Sequence, residues 1–153
     1  MDLILWRHAD AEDRGKDTDS DAARELTKKG RKQAEAMAKW LAPRLQKSAR
    51  ILVSPAIRTL QTVEPLGRDF DTSEDVGLAA TARSVLRAVE WPDNDRAVMV
   101  VGHQPTLGEV AAELLGAPEG LSIRKGAVWW FESRGGGEVL LRAVMDAETA
   151  EGS

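Results

Sequence analysis

The chain has 153 residues, enough for one domain with a sizeable core, and is taken as a single domain over residues 1–153. Its formal net charge of −4 excludes a general nucleic-acid binder, which needs a basic excess, so any anion site must be a local gathering of Arg and His. With no cysteine there is no disulfide scaffold or thiolate metal site; neither a membrane span nor a signal peptide is expected, and the reading is a cytoplasmic monomer.

The apolar run Leu3-Ile4-Leu5-Trp6 stops abruptly at Arg7-His8 and is predicted as a strand buried on both faces. The stretch that follows, about residues 9–25, is acid-rich and without periodicity, so it reads as a surface loop. Ala34, Met37, Ala38, Leu41 and Leu45 then recur at helical spacing, with Thr27 as N-cap and Pro43 as the residue that kinks or ends the helix. Arg50-Ile51-Leu52-Val53 is a second short strand, and SPAIRTLQTVEPL leads from it into a helix whose first position falls to Pro55. Residues 67–80 are poorly patterned, with a short strand placed near Val76, and a helix is expected from Thr81 to Glu90. RAVMVV, residues 96–101, is the clearest strand; a turn follows, then a helix with Pro105 near its start and Gly116 at its end. GAVWWFES-RGGG-EVLLRAVM closes the pattern as a β-hairpin, with Trp129 and Trp130 on opposite faces of its first strand.

Strands alternating with helices imply an α/β sheet covered on both faces, its inner strands parallel and joined by right-handed crossovers. In open sheets of this kind ligands bind beyond the carboxyl ends of the strands. Three such ends carry reactive residues. The first strand ends in Arg7-His8, the second in Ser54-Pro55 with Arg58 one helical turn on, and the central strand in Gly102-His103. Both histidines of the chain occupy these positions. Guanidinium groups match phosphate oxygens with planar forks and stay charged. A neutral imidazole has a free ring nitrogen that can attack phosphorus, and a second one, protonated beside a bound phosphate, steadies charge on its oxygens. Such a set needs no metal, because phosphoryl transfer depends mostly on positioning and electrostatic stabilisation.

These residues resemble a known family. WRHADAE is similar to the RHG signature of the histidine phosphatase superfamily, RELTKKG to the LT-x-x-G segment after it, SPAIRTLQT to SP-x-x-R-x-x-QT, and VGHQP to the second-histidine motif. Their order, spacing and the short chain resemble its SixA-type phosphohistidine phosphatases, over roughly residues 1 to 145. The resemblance implies a phosphoglycerate mutase-like three-layer α/β/α sandwich with a mostly parallel sheet and a C-terminal hairpin. It also implies His8 as the residue transiently phosphorylated, with Arg7, Arg58 and His103 as the phosphate pocket, and water releasing phosphate from His8. No cofactor is implied. The expected partner is a protein bearing phosphohistidine, such as a phosphorelay or phosphotransfer domain.

Two departures from the family pattern matter. Ala9 stands where the signature has Gly; it can still offer its carbonyl to the imidazole provided its φ is negative. Members that cleave phosphate esters carry an acid beyond the second arginine, but the matching stretch here, Gly77-Leu78-Ala79-Ala80-Thr81, has none; Glu74 and Asp75 come earlier. An alkoxide leaving group needs a proton, and losing the donor costs roughly 10²–10⁴-fold in rate. Imidazole, whose conjugate acid has a pKa of about 6.5, departs already protonated. The missing acid therefore favours a P–N substrate. The rivals are a phosphatase or mutase for small esters using Glu74 or Asp75, and a non-catalytic phosphate-binding module.

Other residues have blander readings. His8, Asp10 and Glu12 are metal-ligand types, yet they open an acidic surface run, so no metal site is assigned. Arg24 is a substrate contact or a surface ion pair. Ser54 is a pocket donor or a helix cap, and Gln104 a substrate contact or a turn residue. Gly135-Gly136-Gly137 is a hairpin turn rather than a phosphate loop.

Overall fold

In a computed structural model, the structure describes residues 1–13 and 20–152. Residues 14–19 of the expected acidic loop lie outside the described residues. The elements run in the order β1 (Asp2–Arg7), α1 (Lys28–Leu41), β2 (Arg50–Val53), α2 (Ile57–Val63), β3 (Asp71–Thr72), α3 (Ala82–Ala88), β4 (Val98–Gly102), α4 (Thr106–Leu115), β5 (Val128–Ser133), β6 (Val139–Met145) and α5 (Ala147–Glu151). The strands form one sheet in the order β3-β2-β4-β1-β5-β6. β3, β2, β4 and β1 are parallel neighbours, and β5 and β6 add an antiparallel hairpin on the β1 side.

β1 alternates between two cores, as a strand covered on both faces must. Ile4 and Trp6 face one side with Ile51, Val53, Met99 and Val101, under Met37, Ala38 and Leu41 of α1 and Ala150 of α5. Leu3 and Leu5 face the other with Leu52, Val98 and Val100, under Val85 of α3 and Leu107, Val110 and Ala111 of α4. Each fully buried aliphatic side chain contributes about 1.5–3 kcal/mol, so the two cores hold the three layers together. Trp6 is buried without penalty, because its indole N–H donates to Gly126 O at 3.2 Å. No helix among the described residues is long and apolar enough to cross a membrane.

Three local readings need correction. The third strand is Asp71–Thr72, not a strand near Val76; Val76 sits in a 3-10 turn, where burial alone accounts for its apolar side chain. α2 starts at Ile57 after Ala56 as N-cap, so Pro55 precedes the helix and does not occupy its first position. The central strand starts at Val98, two residues after the pattern suggested. Thr27 does cap α1, accepting from Gly30 N–H at 2.9 Å, and the helix ends at Leu41, ahead of Pro43. The three hairpin glycines all have positive φ (83°, 60° and 82°), which makes them turn residues.

α1 also clamps the segment after His8. Asp10 O accepts from Thr27 N–H at 3.0 Å, Asp10 N–H donates to Gln33 Oε1 at 2.9 Å, and Thr27 Oγ1 donates to Asp10 Oδ2 at 2.7 Å. Gly30 allows this approach, because a Cβ there would stand 1.9 Å from Asp10 O. Gly30→Ala is therefore expected to destabilise the fold by about 1–3 kcal/mol, lowering the thermal midpoint by roughly 2–12 °C. An unchanged midpoint in thermal unfolding would show that the contact is not constraining.

Candidate active site

Strand register brings the reactive ends together. Arg7 pairs with Gly102 across β1 and β4, and Val53 with Val101 across β2 and β4. The residues that follow each strand, His8, His103 and Ser54, thus leave the sheet at the same edge. His8 N–H donates to Gly102 O and Ser54 N–H to Val101 O, both at 3.0 Å, which extends the pairing by one residue past the strands. The two imidazole centroids lie 5.5 Å apart, and each histidine is only 5% exposed. Arg58, on the first turn of α2, is buried beside them.

The His8 ring is fixed by its own chain. Nδ1 lies 2.7 Å from Ala9 O, an acceptor only, so Nδ1 carries the proton and Nε2 the lone pair. Ala9 N–H is held in turn by Thr62 Oγ1 at 3.0 Å. Among the described residues Glu90 is the one non-glycine with positive φ, so Ala9 meets the condition for offering that carbonyl.

The pocket is rich in positive charge and short of partners. Arg7 Nε, Arg58 Nε and His103 Nδ1 are buried with no hydrogen-bond partner among the described residues. A buried donor left unpaired costs about 1–3 kcal/mol, and since Arg58, His103 and Arg7 all act on His8, the group is a candidate receptor for an oxyanion beside that ring. Burial, then the neighbouring Arg58, pull the Arg7 guanidinium below its usual value. Burial pushes His8 down to about 3; the Ala9 carbonyl opposes this, while Arg58, His103 and Arg7 reinforce it. Burial and Arg58 push His103 down to about 4, with Asp21 opposing. Near neutral pH both rings are therefore neutral, and a proton on His103 requires an anion in the pocket to balance it.

The other sequence candidates have different placements. Ser54 is fully buried and lies 2.7 Å from His103 Nε2, while its Oγ also accepts from Ala56 N–H at 3.3 Å. Both contacts are met either with the Ser54 hydroxyl donating to Nε2 or with the second lone pair of Oγ accepting from Nε2–H. Ser54 thus orients the second histidine; it is not the N-cap of α2. The Gln104 amide donates to Leu121 O at 3.0 Å and accepts from Gly108 N–H at 2.7 Å, contacts that suit the turn reading. Arg24 is an ion pair, 3.0 Å from Asp21 Oδ1. Glu74 and Asp75 lie exposed around a 3-10 turn, and neither is among the charges acting on the two imidazoles.

The acid missed from sequence is Asp21. Its carboxylate lies 3.1 Å from Arg58 Nη2, and its main-chain O accepts from Arg58 Nη1 at 2.6 Å. It stood inside an acidic run, and the available signal was its i,i+3 spacing from Arg24, just before Leu26-Thr27. No group of three or more metal-ligating side chains occurs among the described residues.

Comparison with known proteins agrees with this geometry. The family model of the histidine phosphatase superfamily (branch 1) matches residues 3–79. A phosphohistidine phosphatase SixA homolog of Haemophilus influenzae is 32% identical over 138 residues, covering 80% of this chain and 82% of that protein. The phosphohistidine phosphatase SixA of Escherichia coli K12 is 31% identical over 126 residues, covering 74% of each. A solved structure of the protein histidine phosphatase SixA complexed with tungstate superposes with a TM-score of 0.81 at 25% identity, over 96% of this chain and 97% of that one. The chain belongs to the histidine phosphatase superfamily. Its fold is the phosphoglycerate mutase-like one expected from sequence.

The two depressed histidines have a measurable consequence. In the unfolded chain each titrates near 6.5, so as pH falls below that value the unfolded state takes up protons that the folded state refuses. The stability present above pH 6.5 is lost as pH falls toward about 4 for His103 and about 3 for His8. Between pH 7 and 5 the natural protein is expected to lose about 1–2 kcal/mol more than His103→Asn in urea unfolding. Equal losses would mean that His103 is not held neutral.

Proposed function

We propose that the chain is one catalytic domain that removes the phosphoryl group from phosphohistidine on a partner protein, passing it through a phosphohistidine at His8. The carrying observation is the Ala9 O contact, which leaves His8 Nε2 unprotonated beside three unpaired buried nitrogens. In this reading Nε2 attacks phosphorus in line, while Arg7, Arg58 and His103 hold the equatorial oxygens. The N–P bond of the substrate breaks with its electron pair returning to the substrate ring. Water then attacks phosphorus on phosphorylated His8, releasing phosphate and restoring the free imidazole.

The SixA relatives support the choice of substrate, as does the lack of an acid between Gly77 and Thr81. A cleft of about 360 Å³ adjoining Arg7 carries Lys29, Arg124 and Lys125 together with Asp10, Asp146 and Glu148, a mixed-charge rim suited to a protein surface. Such a partner places the reaction in the cytoplasm.

Incubation with a ³²P-labelled phosphohistidine protein, followed by an alkaline quench that preserves N–P bonds, is expected to label the natural enzyme. His8→Ala is expected to stay unlabelled and to lose at least about 10³-fold in turnover. Labelling of His8→Ala to the same extent would reject His8 as the acceptor; a natural enzyme that neither labels nor turns over would favour the binding-module reading.

A further inference from the structure

Asp21 meets the proposed phosphate pocket through Arg58 and acts on His103. Arg58 is buried, its side chain 5% exposed, and it turns both terminal nitrogens to Asp21, whose side chain is 35% exposed. His8 is buried, 5% exposed, and Arg58 is among the charges that act on it. A phosphorylated side chain attacked in line by a buried His8 carries its leaving group toward solvent, and Asp21 is a partly exposed carboxylate joined to the pocket through Arg58. The carboxylate is tethered at both oxygens, Oδ1 to Arg24 at 3.0 Å and Oδ2 to Arg58 at 3.1 Å. Each oxygen keeps a further lone pair for an incoming donor.

The charge state of Asp21 suits one kind of leaving group. Hydrogen bonds from Arg24, and then from Arg58, hold its carboxyl below the usual range, so it is ionised near neutral pH and has no proton to give. It cannot replace the acid absent from Gly77 to Thr81. An ester oxygen would leave as an anion next to this carboxylate, which is unfavourable. A phosphorylated imidazole, by contrast, carries an N–H at its far nitrogen once that nitrogen is protonated. As the P–N bond breaks and Nε2 of His8 bonds to phosphorus, that ring departs as neutral imidazole, and no proton has to be delivered.

We propose that Asp21 makes the site selective for phosphoryl groups on nitrogen, accepting a hydrogen bond from the far N–H of the substrate imidazole and disfavouring an anionic oxygen leaving group. This rests on the phosphohistidine reading and assigns to it the residue that enforces the choice. A carboxylate acceptor keeps the substrate ring protonated to higher pH, the state in which it leaves most readily. Arg24 serves as the tether that keeps Asp21 at the rim and off the inner Nε of Arg58.

The test compares Asp21→Asn, which keeps the shape and one side-chain acceptor but removes the charge, with the natural enzyme on two substrates. For a phosphohistidine protein kcat/KM is expected to fall about 10–10²-fold further than for p-nitrophenyl phosphate. Asp21→Glu is expected to recover part of the phosphohistidine rate. The alkaline limb of the phosphohistidine pH profile is expected to move to lower pH in Asp21→Asn, a change that a purely structural role would not produce. Equal losses on both substrates would overturn the proposal, reducing Asp21 to a positioner of Arg58, and so would an unchanged phosphohistidine rate. Arg24→Ala provides a second variant should Asp21→Asn misfold: a selective loss on phosphohistidine supports the proposal and an equal loss on both substrates contradicts it. Failure of the natural enzyme itself on phosphohistidine would instead refute the functional reading.

Discussion

Two guanidiniums and two imidazoles share a buried corner whose charge is poorly balanced, and the site follows from that constraint. Among the described residues the carboxylate acting on His103 is Asp21, and it pairs with the terminal nitrogens of Arg58. The imidazoles respond by staying neutral, which keeps His8 nucleophilic at physiological pH. The guanidiniums cannot respond in that way and are left with unpaired inner nitrogens. The arrangement costs stability in isolation, and a dianion entering the corner would recover it, which is the physical basis of the proposed phosphoryl site.

Holding such a corner together requires a rigid frame, and each sequence motif supplies part of it. β4 lies between β1 and β2, so hydrogen-bond register alone fixes His8 against Gly102 and Ser54 against Val101. Thr62 ties α2 to the segment after His8, accepting from Ala9 N–H and donating to Arg58 O at 2.7 Å. Gln61 Oε1 accepts from Leu26 N–H at 2.7 Å, which docks the return of the acidic loop on α2. Thr27, Gly30 and Gln33 grip Asp10 from α1. Residues that look like a signature for chemistry are thus, in large part, main-chain clamps around the one histidine whose ring must not turn.

This division explains what was legible from sequence. Strands with continuous apolar runs, such as Ile51-Leu52-Val53 and Val98 to Val101, declared themselves because burial on both faces leaves no polar positions. Arg7, His8 and His103 were legible because they close such runs, and Arg58 because it lies one helical turn past the end of another. β3 was not: a two-residue edge strand with both residues exposed has no pattern to show. Ser54 and Gln104 were seen as polar residues near the site, but hydrogen-bond partners 49 and 17 residues away decide what they do. Asp21 was hidden for the same reason, since its link to Arg58 spans 37 residues and nothing local separates it from the other acids of its run.

The alanine after His8 shows how this chain accommodates a departure from its family's signature. The imidazole needs the carbonyl of residue 9, not the absence of a side chain, and that carbonyl is in place at 2.7 Å. The methyl of Ala9 is fully buried in a small cluster with Ala11, Leu26 and Ala34. Burying a methyl contributes about 0.8 kcal/mol, and replacing glycine at a compatible φ removes about 0.4–1 kcal/mol of unfolded-state freedom. Ala34 on α1 is itself small, which leaves room for the extra carbon. The substitution therefore tightens the segment that orients His8 and leaves its hydrogen bond intact, so glycine at this position is one solution to the geometry and not a chemical requirement.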